Sequence, residues 1–177
     1  MVAAIALACD RSPTAVSMVP LPSAQLTLTS QPTANRTSAP LVSCSQRYDS
    51  VTEVVGPLGG LIAVGHHYLW VDSLALARPT SITVVAPAGA VRWVRFRPDG
   101  LVFQTKTRTG YPAVIFTDYT NCAVPTSNAV RIAQVTDALG VLGYLQTYVR
   151  FNTHPWSQGP QYVAAVLPHF SNYAVAW

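Results

Sequence analysis

The chain has 177 residues and a mass of 19.0 kDa, which is room for one domain or at most two small ones. Half of its residues are apolar and only 10% are charged, which excludes a disordered chain, a coiled coil and a helical protein with a charged surface. Its net charge of +4 is small and no basic run occurs, so the composition does not indicate direct nucleic-acid binding. Lys106 and Glu53 are the single Lys and Glu, whereas Val, Ile, Thr and Tyr are frequent, which predicts an all-β protein.

Residues 1–22 are predicted to be an N-terminal segment and a Pro-rich linker, followed by a β-domain over residues 23–177. Proline fixes φ and lacks a backbone donor, so a Pro-rich stretch stays extended. The sequence Asn35-Arg36-Thr37 makes Asn35 a candidate glycosylation site if the chain enters the secretory pathway. No apolar run reaches about 18 residues, so we expect no membrane span. Residues 1–9 lack the basic flank of a signal peptide.

Short apolar runs then alternate with turn signals, which is typical of a β-sandwich or barrel. The predicted strands are 25–29, 51–55, 61–64, 68–71, 82–86, 91–97, 101–105, 113–117, 129–135, 141–151, 162–167 and 173–177. The strongest turn signal is Pro98-Asp99-Gly100, which we expect to close a hairpin, because Pro presets φ and Gly accepts a positive φ.

The sequence carries no signature of an enzyme, a metal site or a cofactor site. It has no Gly-x-Ser-x-Gly, no phosphate-binding glycine loop, no His-Glu-x-x-His and no closely spaced pair of carboxylates. The three cysteines are too few for a disulfide framework, although one pair could bridge, and the sequence does not decide whether Cys44 and Cys122 do so. We expect a protein that is not an enzyme and that uses no cofactor.

One segment, residues 92–97, combines basic and aromatic side chains. Arginines beside aromatic rings can contact a polyanion, so Arg92, Arg95 and Arg97 are candidates for such a contact. The alternative is an ordinary strand in which the arginine stems cover apolar surface.

Aromatic residues are concentrated in the last third of the chain. On a continuous strand, Tyr144, Tyr148 and Arg150 would share one face, and Tyr and Arg are favoured at protein interfaces. With so few charged residues, some exposed apolar surface is expected to meet another subunit. The alternative is that these aromatic residues all lie in one core.

Several segments, in this order, resemble the protruding domain of hepatitis E-like virus capsid proteins. The resembling segments are Asp10-Arg-Ser-Pro-Thr14, 25–29, 48–59, Tyr68-Leu-Trp70, Leu76-Ala-Arg78-Pro79-Thr80, Thr109-Gly110-Tyr111-Pro112, Tyr119-Thr120-Asn121, 128–133, Val166-Leu167-Pro168-His169 and 173–176. The family's Asn-x-Thr after Gly-Tyr-Pro is absent, because Asn121 is followed by Cys122 and Ala123.

This resemblance implies a twisted antiparallel β-barrel that forms a homodimeric spike, packs with other capsid subunits and attaches to a host cell-surface receptor at the virion surface. In the family, the Gly-Tyr-Pro loop and the closing strand lie in or near the dimer contact. By position, the implied dimer residues are Tyr111, Tyr119, Tyr173, Ala174, Val175 and Ala176.

A hydrolase on a β-scaffold remains the enzymatic alternative, and a perturbed pair of an acidic residue and a histidine in a cleft would favour it. Two non-enzymatic functions also remain open. One is a secreted, extracellular bacterial β-domain such as a minor pseudopilin, in which a segment like Phe96-Arg-Pro-Asp-Gly100 begins a hairpin. The other is the jelly-roll shell domain of another small RNA virus, although such domains usually carry a basic arm that binds the genome.

Overall fold

The computed structural model describes residues 41–124, 130–148 and 161–177, and it confirms the all-β class. The predicted arm over 1–22, the predicted strand 25–29, Asn35 and Arg150 lie outside the described residues. The strands are β1 (Ser43–Gln46), β2 (Asp49–Val55), β3 (Gly60–Val64), β4 (His67–Val71), β5 (Thr80–Ala86), β6 (Gly89–Val91), β7 (Trp93–Arg97), β8 (Ala113–Asp118), β9 (Arg131–Val135), β10 (Val141–Tyr144), β11 (Thr147–Tyr148), β12 (Tyr162–Val166) and β13 (Asn172–Ala176).

The strands form two large antiparallel sheets and one small one. The six-stranded sheet has the order β10-β9-β13-β7-β5-β2, the five-stranded sheet has the order β11-β12-β8-β4-β3, and β1 pairs with β6. Both large sheets have two edge strands, so the fold is an open sandwich, and the barrel implied by the resemblance is not closed.

The main core lies between the two large sheets. Along β4, residues Leu69 and Val71 face this core, whereas Tyr68 and Trp70 face outward, as the two-residue period of a strand requires. The six-stranded sheet contributes Phe96, which stacks on Phe170 with the ring centroids 5.2 Å apart. Alternate residues of the facing strands in the two large sheets therefore build one shared core.

The strand predictions hold for most elements and fail where the chain changes sheets. The predicted strand 101–105 is wrong, since only Val102 forms an isolated bridge, to His169. The turn at Pro98-Asp99-Gly100 exists, with Gly100 at φ +71° and a hydrogen bond from Leu101 N to Pro98 O, but it closes no hairpin. After this turn the chain pairs with residues 169–170, and β7 pairs with β5 and β13 instead.

Cys44 and Cys122 form a disulfide across 78 positions of sequence. The bond joins β1, a strand that the sequence did not predict, to the turn that follows β8. Beside it, Ala123 N donates to Ser43 O, so a hydrogen bond supports the same junction. Within the described ranges, no helix has the length and apolar character needed to cross a membrane.

Candidate interaction surface

The outward side of the five-stranded sheet is apolar across all five strands. An antiparallel sheet usually presents polar side chains on the side that does not face the core. Here the outward side is apolar except at the end of β8, where Asp118 is the one charged side chain in the described strands of this sheet. We call this side the outer aromatic face, and its residues are Leu61, Ala63, Tyr68, Trp70, Val114, Phe116, Tyr148, Tyr162, Ala164 and Val166.

The centre of this face is a second packed layer. Val114, Phe116 and Ala164 are buried there, with half-buried aromatic rings around them. The rings of Tyr68 and Tyr162 lie 6.2 Å apart in a tilted arrangement. Burial, together with a hydrogen bond with Tyr68, raises the pKa of the Tyr162 phenol to about 12, so the face carries no phenolate charge at physiological pH.

One end of the face is exposed and leads into a groove. Leu58, in the turn between β2 and β3, is 93% exposed, and Leu61 on the edge strand β3 is 41% exposed. Both leucines line a groove of about 630 Å³ together with Trp70. The charged residues that line this groove are Asp72 and Arg108. Large exposed apolar side chains beside an uncharged sheet face are the usual composition of a protein contact site.

The loop with the sequence Gly110-Tyr111-Pro112 is held at this end by a buried carboxylate. Asp72 Oδ2 accepts hydrogen bonds from Thr109 N at 2.7 Å and Thr109 Oγ1 at 2.8 Å, and Asp72 Oδ1 accepts one from Ser73 N at 2.7 Å. Burial raises the pKa of Asp72, but these hydrogen bonds outweigh it and leave the pKa below its ordinary value. An ionised Asp72 therefore fixes the start of the loop.

Tyr111 lies on this loop, where the resemblance implies a dimer contact. It is 37% exposed, and its ring meets that of Tyr148 edge-on, with the centroids 6.5 Å apart. Because Tyr148 belongs to the outer aromatic face, Tyr111 extends that face beyond the sheet. The structure thus brings one predicted dimer residue to an apolar surface.

The other five implied dimer residues lie inside the single chain, so the prediction is corrected for them. Their side chains have no area left to bury against a second copy. Tyr173 and Val175 face the main core, and the Tyr173 hydroxyl donates to His169 O at 2.7 Å. Ala174 and Ala176 belong to a smaller cluster on the opposite side of β13, and Tyr119 belongs to the main core.

The sequence did contain a signal for this burial. β13 lies between β7 and β9, and both of its faces are covered. A strand buried on both faces reads as a continuous apolar run and does not alternate. The run from Tyr173 to Trp177 has this continuous form.

The predicted face shared by Tyr144 and Tyr148 is also wrong, because the segment is two strands. Tyr144 ends β10 at the edge of the six-stranded sheet, whereas Tyr148 ends β11 in the five-stranded sheet. Arg131 lies over the Tyr144 ring, 4.8 Å from its centroid. The two tyrosines therefore belong to different sheets.

The three arginines proposed for a polyanion contact do not form one patch. Arg95 lies over the Trp93 ring and pairs with Asp137 at 3.4 Å, and Arg97 pairs with Asp99 at 3.6 Å. Arg92, between β6 and β7, is buried and donates to backbone carbonyls. Each guanidinium thus contacts groups of this chain. For Arg95 and Arg97, this arrangement agrees with the alternative of an ordinary strand.

The part of the chain that the structure describes holds no group of three or more side chains suited to bind a metal ion. His66 and His67, which are neighbours in sequence, have different surroundings: His66 is half-buried near Asp118, and His67 is buried. No protein-family model and no curated protein sequence matches this chain.

Proposed function

We propose that the chain is a non-enzymatic capsid protruding domain that homodimerises at the virion surface, packs with other capsid subunits and attaches to a host cell-surface receptor. The observation that carries the pairing is the outer aromatic face, an apolar sheet surface that ends in the exposed side chains of Leu58, Leu61 and Tyr111. The capsid setting is supported by the order of the resembling segments, among them the Gly110-Tyr111-Pro112 loop.

The proposed partner is a second copy of this chain. In a two-fold dimer the same patch lies on both subunits, so the patch must be compatible with itself. An apolar surface meets this condition when the contact is centred on Leu58 and Leu61, because these side chains bring no like charges together. Arg108 lies at the groove, where it can remain at a solvated rim.

The disulfide supports a location outside the reducing cytosol. Disulfides form and persist at virion surfaces and in secreted proteins. The bond between Cys44 and Cys122 is compatible with a capsid surface domain and also with a secreted β-domain.

The pseudopilin alternative loses the feature that suggested it. That interpretation relied on a hairpin beginning at Phe96-Arg97-Pro98-Asp99-Gly100. In the fold, the chain after Gly100 runs beside residues 169–170 and does not return along β7.

The test is the molar mass of the purified chain by light scattering after size exclusion, measured over a range of concentration and salt. We expect a species of twice the chain mass of 19.0 kDa that persists at high salt, because an uncharged interface is not screened. The double variant Leu58→Glu/Leu61→Glu should be a folded monomer, since both side chains are exposed in the single chain.

The matched control is Leu142→Glu, which places the same charge at a leucine that is 61% exposed on β10, in the other large sheet. This variant should remain dimeric. A wild-type chain that stays monomeric at every concentration would overturn the proposed dimer. Dissociation by Leu142→Glu, with the Leu58/Leu61 variant unaffected, would place the contact on the other sheet and refute this interface.

A further inference from the structure

A polar cleft adjoins one end of the outer aromatic face at Asp118, away from the exposed side chains of Leu58, Leu61 and Tyr111 that carry the proposed dimer. Its walls are the β1–β2 connection, the turn between β3 and β4, and the turn that follows β8, and its volume is about 740 Å³. Arg47, Tyr48 and Asp49 come from the first wall, His66 from the second and Asp118 from the third. Three segments that are distant in sequence thus supply polar groups to one depression.

The base of the cleft is fixed by a buried arginine. Arg92 is 4% exposed, and its guanidinium donates to the backbone carbonyls of Asp118, Thr120 and Ser45. Arginine remains charged in proteins, so these are charge-assisted hydrogen bonds. The disulfide between Cys44 and Cys122 joins the same two walls, because Cys44 is next to Ser45 in the chain and Cys122 is two residues after Thr120. The cleft is therefore preorganised, which lowers the entropy cost of binding a ligand.

The charges lining the cleft balance. Arg47 and Arg92 supply two cations, and Asp49 and Asp118 supply two anions, in a chain in which only 10% of residues are charged. Asp49 Oδ2 accepts from Gly65 N at 2.7 Å, and Asp118 Oδ2 lies 3.6 Å from His66 Nδ1. A strongly anionic ligand would meet two carboxylates here, and a cationic ligand would meet two guanidinium groups.

The Asp118 carboxylate remains an acceptor at neutral pH. Burial raises the pKa of Asp118, but the hydrogen bonds from Thr120 and the positive charge of Arg92 hold it below its ordinary value. Asp118 Oδ1 already accepts from both Thr120 N and Thr120 Oγ1, whereas each oxygen of Asp49 holds one backbone donor and keeps a second lone pair. Ionised acceptors and fixed donors therefore lie side by side.

We propose that this cleft binds a neutral carbohydrate. A sugar hydroxyl both donates and accepts, so adjacent hydroxyls can bridge an aspartate and an arginine or amide, such as those of Asp49, Arg47 and Asn121. Tyr48 lines the same cleft and is 67% exposed, which leaves its ring available to cover the apolar face of a sugar ring. Net neutrality of the lining selects a neutral sugar over a charged one.

This proposal does not depend on dimer formation. The cleft is built within one chain, so the monomeric Leu58→Glu/Leu61→Glu variant should retain it. A chain that binds sugars as a monomer would separate the two proposals, and so would a dimer that binds none.

The test uses the whole chain on an array of neutral and sialylated oligosaccharides, followed by saturation-transfer NMR with those that bind. We expect binding to neutral glycans, with the affinity reduced at least about tenfold by Tyr48→Ala and by Arg47→Ala, both exposed positions that should leave the fold intact. The matched control is Tyr144→Ala, a tyrosine outside the cleft, which should bind as the wild type does.

Absence of binding to every neutral glycan would overturn the proposal, and so would binding confined to sialylated glycans, because the lining would then recognise an anion. Neutral-glycan binding that survives both Tyr48→Ala and Arg47→Ala would place the sugar elsewhere and would likewise refute this site.

Discussion

At the scale of single residues, Asp72 shows how one buried carboxylate positions a functional loop. Its hydrogen bonds to Thr109 place the Gly110-Tyr111-Pro112 segment beside the end of β4. The loop has no regular backbone pairing of its own over residues 107–111, so these bonds determine where Tyr111 lies.

We therefore expect Asp72→Asn to lower the free energy of unfolding by about 2–3 kcal/mol at neutral pH, since a hydrogen bond to a charged group contributes about 1.5–3 kcal/mol. The folded-state pKa of Asp72 is depressed, so its stabilisation is present above the unfolded value and is lost as the pH falls below about 4. Urea titrations should show the two proteins converging at low pH.

The control for this measurement is Asp99→Asn, which alters an exposed aspartate that pairs with Arg97 at the surface. It should change stability by less than about 1 kcal/mol. Equal losses from Asp72→Asn and Asp99→Asn would contradict the role given to Asp72.

His67 is a second buried polar residue, and its neighbours determine its protonation. Gln46 Nε2 donates to Pro87 O and Trp93 O, so Gln46 Oε1 must accept from His67 Nε2–H at 2.9 Å. His67 Nδ1 then accepts from the Thr117 hydroxyl at 3.0 Å. Burial, with the positive charge of Arg92, lowers the pKa of His67 to about 3.

Because His67 takes up a proton more readily when the chain is unfolded, stability should fall as the pH drops from about 6.5 toward 3. The slope from this residue is at most about 1.4 kcal/mol per pH unit. We expect His67→Gln to flatten the curve of unfolding free energy against pH in this window. A His67→Gln curve parallel to that of the wild type would refute this account.

At the scale of elements, the sequence predicted best the strands whose residues alternate or run apolar between turn signals. Residues 51–55, 82–86 and 113–117 each correspond to an observed strand, because their pattern matches the pleat. The sequence did not predict β1, a strand of four residues with the sequence Ser43-Cys44-Ser45-Gln46. It also could not show that the chain changes sheets after Tyr144, because that depends on contacts distant in sequence.

The sequence could suggest an apolar interaction surface, but it could not show which strands form that surface. The sequence left open whether the aromatic residues all lie in one core or also form an outer surface, and the structure places Tyr68, Trp70, Tyr148 and Tyr162 on the outer side of the five-stranded sheet. Local pattern could not distinguish β12, which lies near that sheet's edge, from β13, which lies within the other sheet, because strand order is a tertiary property. The cleft escaped prediction for the same reason, since its walls come from three separate segments.

The turn at Gly100 allows a direct test of backbone conformation. Gly100 has φ +71°, and an added Cβ would meet no atom within 4 Å; at Gly89 the space is equally open and φ is not positive. Gly100→Ala should therefore destabilise the fold by about 1 kcal/mol through backbone strain alone, and Gly89→Ala should not. Thermal unfolding of the two variants measures the difference, and equal midpoints would show that the left-handed conformation is not required.

At the scale of the whole molecule, the disulfide is the largest single constraint on the unfolded chain. It closes a loop of 78 positions, which the chain-entropy relation equates with about 4.5 kcal/mol of stability. We expect Cys44→Ala/Cys122→Ala to unfold at markedly lower denaturant concentration. Adding a reductant to the wild type should have a similar effect, whereas adding it to the variant should have none. If reductant did not change the denaturant concentration at which the wild type unfolds, this expectation would be contradicted.

The position of β13 has a consequence for biosynthesis. The six-stranded sheet consists of a β2-β5-β7 half and a β9-β10 half, and β13 joins them although it follows all of these strands in the chain. During synthesis, one edge of β7 and one edge of β9 therefore stay unpaired until β13 has been made. Unpaired strand edges favour aggregation. The nascent chain is thus most vulnerable just before its central strand emerges from the ribosome, and an element inserted last completes the sheet from its middle.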